Sequence, residues 1–303
     1  MTPLKLKDLG QIFKTTFNQW NDKDPFRQSA VIAYYAIFSI PGLLVLIIAI
    51  AGYFFGQDVV NKNLTAQISQ TMGAQTALEI QEILTKSTAE KSTTWASIVG
   101  IVVLLVGATG VFVELQKTLN LIWNVRIKPQ NGIWLIIKAR LFSFGLILAI
   151  AFLLIISLVI STALVAISNF IQFESSPLMM TLYGILNFVI SLLVISALFA
   201  MIFKILPDAK IQWKHVWLGS LLTGLLFTIG KMALAYYFGK ADPASIYGAA
   251  SSIILILLWV SYSSMILFFG AEFTAAYAKM YSGTVAPTNI AKSQVPTEAE
   301  KMK

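Results

Sequence analysis

Glu114, Gln116, Lys117 and Asn120 stand together in the stretch GATGVFVELQKTLNLIWNV (107–125), at the end of an apolar run that begins near Trp95. A carboxylate, an ammonium and two amides at this spacing can close ion pairs, grip a charged headgroup or form part of a gate. In hydrocarbon the two charges would cost roughly 2.5–3.5 kcal/mol each on insertion scales. With the centre of the apolar run near Leu104, a rise of 1.5 Å per residue sets Glu114 roughly 15 Å away, at the level of lipid headgroups. Leu115, Leu119, Leu121 and Ile122 continue the apolar stripe, so the helix is expected to leave the membrane without ending. Arg27, Arg140, Lys204 and Glu272 fall at the same level in other apolar runs. Arg27, Glu114, Arg140 and Glu272 are therefore expected either as an ion-pair collar that locks helix ends or as a cytoplasmic gate or headgroup site.

Lys231 is of another kind. It lies only about 6 Å from the centre of its apolar run, near Phe227, where a cation needs a partner or a route to water. Ser220, Gly224, Phe227 and Lys231 share one helical face. Asn187 with Ser191 and Tyr183, Ser252 with Gly248, Trp259 and Ser263, and Tyr34 with Pro41 and Gly52 form similar small or polar stripes in other runs. Such stripes either line a cavity or make tight helix contacts. On the first alternative, Lys231, Tyr34, Asn187, Ser252 and Trp259 would line a path for a substrate.

Other chemistry lacks its residues. The single histidine, His215, sits beside Trp213 and Trp217 in an expected cytoplasmic loop, with no cysteine anywhere in the chain to share a metal. Gly224 to Lys231 resembles a phosphate loop, but five residues separate its glycines where four are needed, and Met232 stands in place of Ser or Thr. No catalytic residue, metal site or cofactor is expected, and no nucleic-acid partner.

The elements that must position these residues are apolar helices. The chain has 303 residues, 57% of them hydrophobic and only 12% charged, with a mean hydropathy of +0.76. A soluble domain carries about 25% charged residues. Residues 30–56 and 141–167 contain no charge at all, and each exceeds the ~20 residues that span a bilayer. The first run is too long for a cleaved leader and reads as a span. The pattern predicts an all-α polytopic membrane protein with six spans, at about 30–56, 95–116, 141–167, 179–205, 216–238 and 246–273.

Seventeen of the 22 Lys and Arg residues fall in the N-terminal segment, the second and fourth connections and the C-terminal tail. The positive-inside rule then puts both termini in the cytoplasm, and the net charge of +8 is mostly a topology signal. Residues 1–29 read as a cytoplasmic segment with an amphipathic helix, in which Leu6, Leu9, Phe13, Phe17 and Trp20 face the membrane surface. Residues 30–280 form the membrane domain, and the external loop 57–94 is expected to hold two short amphipathic helices. The polar, proline-containing tail 281–303 is expected to be disordered.

Three stretches carry a resemblance. DPFRQSAVIAYYAIFSIPGLL (24–44), GATGVFVELQKTLNLIWNV (107–125) and SIYGAASSIILILLWVSYSSMILFFGAEFTAAYA (245–278) resemble the YihY/BrkB family of bacterial inner-membrane proteins. Pro207, Trp213, the Gly219 region and the Gly230–Lys231 pair extend the likeness over most of residues 20–280. The resemblance implies six spans, both termini inside and a place in the bacterial inner membrane. Some members carry an old ribonuclease label, to which the residues here lend no metal cluster.

The leading expectation is a transporter or flippase-like protein for an amphiphilic, anionic envelope component, with membrane lipids as its partners. The alternative is a non-transporting scaffold or regulator of envelope assembly, contacting other envelope proteins or its own copies through loop 57–94.

Overall fold

The computed structural model describes residues 6–72, 77–78, 81, 94–127, 177–241, 251–283, 285–288 and 291–293. Its elements are α1 (Leu6–Asp22), α2 (Pro25–Phe55), α3 (Gln57–Met72), α4 (Thr94–Ile122), β1 (Val125–Ile127), α5 (Pro177–Ile205), α6 (Trp213–Ala241), α7 (Ser251–Ser282) and β2 (Ala291–Ser293). Three helical stretches, Gly184–Ile205, Trp213–Tyr237 and Ile253–Ser282, are long and apolar enough to cross a membrane among the described residues. The expected runs 30–56 and 95–116 fall on α2 and α4, while 141–167 lies outside the described residues. Helix α4 continues past the apolar run as far as Ile122, carrying Glu114, Gln116, Lys117 and Asn120 on unbroken helix.

Helix α7 is the hub. It packs against α1, α2, α3, α4 and α6, while α2 pairs most closely with α4 and α5 with α6. Small residues allow these approaches. A Cβ at Gly110 of α4 would overlap the ring of Tyr35 on α2, and one at Gly224 would sit 2.5 Å from Ser196 Oγ on α5. Between α6 and α7 the fit is reciprocal. A Cβ at Gly270 would overlap Thr223 Oγ1, and one at Gly219 would overlap Thr274 Oγ1. Each threonine hydroxyl donates to the carbonyl four residues back on its own helix, Thr223 to Gly219 at 2.6 Å and Thr274 to Gly270 at 2.7 Å. The hydroxyls are thus satisfied without reaching across, and the glycines leave room for the threonine side chains. At Gly224 and Gly270 the small-residue stripes are therefore helix contacts.

The main apolar core lies at one end of the bundle. Ile32, Leu119, Ile122, Trp123, Phe199, Phe203, Val216 and Phe268 are buried there together. The start of α2, the ends of α4, α5 and α7 and the start of α6 all meet at this end. The opposite end carries α3, whose buried Val60 packs on Ile48 of α2. Of the two helices expected in loop 57–94, α3 is the first; the second falls largely outside the described residues.

Helix α1 is amphipathic as expected, but its deepest face meets protein. Ile12 is buried against Phe273 and Ala276 of α7, and the indole of Trp20 donates to the Met265 carbonyl at 3.2 Å. The Tyr281 hydroxyl donates to Asp8 at 3.0 Å. Phe17, 56% exposed, is left on the outer side. The expected face missed Ile12 and Thr16, which are wholly buried.

The tail corrects another expectation. Residues 285–288 and 291–293 are ordered against the core end, where 281–303 was read as disordered. β2 pairs antiparallel with β1, Val125 facing Ser293 and Ile127 facing Ala291. Pro287 bridges Ala209, the Lys210 amide donates to the Ala286 carbonyl at 2.8 Å, and the Thr288 amide donates to the Asp208 carbonyl at 3.0 Å. Backbone pairing does not need an apolar sequence, so a polar composition concealed the strand.

Candidate functional site

At the core end, the first turns of α2 and the polar end of α4 form the walls of a cavity of about 210 Å³, lined by Arg27, Gln28, Val31, Glu114, Lys117, Thr118 and Leu121. The chain turns sharply into α2. Asp24 takes the left-handed conformation, with φ of 51°, and Pro25 opens the helix, so Arg27 and Gln28 emerge from the first turn. On α4, Glu114, Lys117, Thr118 and Leu121 recur at three- and four-residue steps and hence share one face. Arg27 Nε lies 2.9 Å from Asp24 Oδ2 with both side chains largely in solvent, and Lys117 Nζ lies 3.5 Å from Glu114 Oε2. Gln28 and Thr118 are buried beneath them.

A second polar group lies among the same helix ends. Glu272 of α7 is wholly buried, and its Oε1 receives Lys23 Nζ at 2.5 Å. Lys23, at the elbow between α1 and α2, also reaches the Ile122 carbonyl at the end of α4, at 3.4 Å. Glu272 Oε2 has no hydrogen-bond partner among the described residues. One ammonium thus ties α4 and α7 to the elbow between α1 and α2.

A third group joins α4 to the α5–α6 connection. Asn120 donates to Asp208 Oδ2 at 2.8 Å and accepts the Asp208 backbone amide at 2.7 Å, while Gln116 donates to the same carboxylate oxygen at 3.1 Å. These two amides of the opening stretch are partners of a buried carboxylate. Sequence reasoning missed Asp208, although Gln116 and Asn120, four residues apart, stand on one helix face. It also missed Lys23, which counted only as a topology charge.

The expected residues divide as follows. Arg27 and Glu114 share the cavity, whereas Glu272 belongs to the separate pair with Lys23. Arg140 lies outside the described residues. Among the described residues, Glu114 is paired with Lys117, Arg27 with Asp24 and Glu272 with Lys23. Lys231 is partly buried on α6, with no ion pair or hydrogen bond among the described residues. Trp259 packs edge-on against Phe227 at 5.7 Å between ring centres. Tyr34 is 59% exposed and packs on Tyr35 and Phe38 of its own helix. The side chains of Asn187 and Ser252 are outside the described part of the structure. Lys231, Tyr34 and Trp259 are not among the residues that line the cavity between α2 and α4. His215 is in the first turn of α6, where a loop was expected. It is buried, 2.8 Å from Ser282 Oγ and edge-on to Tyr277.

Long apolar helices with polar groups gathered at their ends define an all-α membrane protein. The chain matches the family described as virulence factor BrkB over residues 16–294, and it belongs to that family. It is 24% identical over 274 residues to a protein named UPF0761 membrane protein from Saccharophagus degradans, a match covering 89% of this chain and 60% of the relative. The like-named protein of Teredinibacter turnerae is 25% identical over 272 residues, again 89% of this chain and 60% of the relative. That of Verminephrobacter eiseniae is 27% identical over 197 residues, covering 63% of this chain and 44% of the relative. The chain thus spans about half to three fifths of the length of these relatives. No solved structure matches it.

Proposed function

We propose that this chain is a multi-pass inner-membrane protein that moves an amphiphilic envelope component, without enzymatic chemistry. The observation that carries this reading is the charged cavity between α2 and α4, placed where long apolar helices end. A charged group held there can keep an attached apolar tail in the bilayer. Lys231, partly buried and unpartnered among the described residues, supplies a second point for the substrate's charge deeper in the bundle. Tyr34, Asn187, Ser252 and Trp259 remain the candidate lining of the path between them.

Six spans with both termini inside fit the arrangement. Helix α4 ends, and α5 begins, at opposite ends of the bundle. That placement supports the sequence reading of a further span at 141–167. The excess of Lys and Arg assigns the core end to the cytoplasm. A cysteine at Gln67 should react with an impermeant thiol reagent added to intact cells, and one at Asn124 should not. Labelling of Asn124 from outside would reverse the orientation.

The transport reading is tested by reconstituting the full chain in vesicles and following the passage of fluorescent phospholipids between leaflets. Protein-dependent passage supports it, and passage equal to that of empty vesicles counts against it. The reciprocal glycine–threonine contact between α6 and α7 favours the other reading, a scaffold, because it is the packing of a bundle that stays closed. A scaffold would leave lipid passage at the empty-vesicle rate while still complementing a deletion strain.

A further inference from the structure

We propose that the cavity between α2 and α4 is a headgroup site for an aminophosphate amphiphile, with Arg27 and Lys117 holding the phosphate and Glu114 and Gln28 the ammonium. This rests on the reading of the chain as a handler of amphiphiles and names the class handled. Two cations from different helices line one cavity, and their present partners hold them weakly. The Arg27–Asp24 pair is 74% and 56% exposed, and the Lys117–Glu114 contact, at 3.5 Å, leaves Lys117 67% exposed. Exposed pairs of this kind contribute about 0–1 kcal/mol, so a doubly bonded phosphate readily replaces them.

The same cavity contains a carboxylate, and this sets the class. Glu114 is only 21% exposed and is part of the wall. A purely anionic headgroup would meet it at short range, whereas a phosphate with an amine two carbons away presents a cation to it. Gln28 adds a second acceptor. Its amide nitrogen donates to the Lys23 carbonyl at 2.6 Å, which leaves the side-chain oxygen for the cavity that Gln28 lines. The cavity thus offers both cations for a phosphate and a carboxylate and amide oxygen for an ammonium, the two charges a zwitterion carries, with Lys117 and Glu114 in contact until it binds. The volume is about 210 Å³. It lies below the range of about 300–1,000 Å³ that encloses whole drug-sized ligands. A headgroup fits within, against a wall to which Val31 and Leu121 give apolar surface, with its acyl chains outside.

The test uses the full chain in detergent with short-chain phosphatidylethanolamine, phosphatidylglycerol and phosphatidylcholine, together with free phosphoethanolamine and inorganic phosphate. Binding is read by native mass spectrometry. Phosphatidylethanolamine should bind roughly tenfold tighter than phosphatidylglycerol, a difference of one well-placed charge contact. Glu114→Gln should abolish that preference while retaining phosphatidylglycerol. Arg27→Gln and Lys117→Gln should each weaken both lipids several-fold, with Lys117→Arg retaining them. Thermal unfolding of each variant separates lost binding from lost fold. Equal binding of the two lipids by the parent chain, or an unchanged preference in Glu114→Gln, overturns the site. Free phosphoethanolamine binding as tightly as the lipid would overturn the amphiphile in favour of a soluble aminophosphate. Specific binding with no passage between leaflets would sink the transport reading and leave the site standing, and passage indifferent to headgroup would do the reverse.

Discussion

Glu272 and Lys23 form a buried ion pair at 2.5 Å, with the carboxylate wholly out of solvent and the ammonium 19% exposed. The pair joins the hub helix to the elbow of the chain, and Lys23 extends the link to the end of α4. Removing Lys23 would strand a carboxylate among apolar side chains, whereas removing both charges would strand nothing.

Lys23→Met should therefore destabilise the fold by about 3–5 kcal/mol, and the double variant Lys23→Met with Glu272→Met should recover much of that loss. Thermal unfolding in detergent measures both. Equal midpoints for the parent and Lys23→Met would show that the pair holds nothing together.

Asp208 has its own prediction. Asn120→Ala deletes two of its hydrogen bonds and should cost about 1.5–3 kcal/mol, the range for bonds to a charged group. Asn120→Asp should cost more, since it sets a second carboxylate against the first. An aspartate variant as stable as the alanine variant would mean that Asp208 is neutral or has moved away.

At the α6–α7 contact, Gly270→Ala puts a methyl group into the space of Thr223. The expected loss is about 1–3 kcal/mol, as for other overpacked sites. Thr223→Ala in the same chain should restore part of it. A double-mutant cycle is the measurement, and additive losses would show that the two positions do not touch in solution.

For Lys231, the expectation combines stability with activity. Lys231→Met removes a cation from an apolar helix and should unfold no earlier than the parent chain. Lipid passage in vesicles should fall in Lys231→Met and partly persist in Lys231→Arg. Full passage in a stable Lys231→Met protein would remove Lys231 from the path.

Much of the architecture was legible because hydrocarbon imposes simple rules. Uncharged runs such as 30–56 can only be helices, and α2 includes almost all of that run. The continuation of α4 beyond the apolar zone was legible for a similar reason, since Leu115, Leu119 and Ile122 keep helical spacing after the polar residues begin. Pairing was far less legible. Glu272 could be placed at the level of Arg27 and Arg140, whereas its actual partner, Lys23, counted only as a topology charge. The left-handed turn at Asp24 sends Lys23 inward and Arg27 out to solvent. The face of α1 was misjudged because aromatic size outweighed position: Phe17 is exposed, and the threonine one turn of helix before Trp20 is buried. The tail escaped notice because its order lies in backbone pairing with β1 and with residues 208–210, which no side-chain pattern announces.

The ribbon of β1 and β2 also sets an order of events in the making of the protein. Its first strand follows α4 and leaves the ribosome early, while its second follows α7 and leaves after every helix described here. Until then Val125–Ile127 is an open strand edge, and the Asp208 carbonyl and Lys210 amide lack their partners from the tail. A nascent chain is therefore marked as unfinished throughout synthesis. A message cut short after α7 would encode every described helix and still leave these backbone groups without their partners.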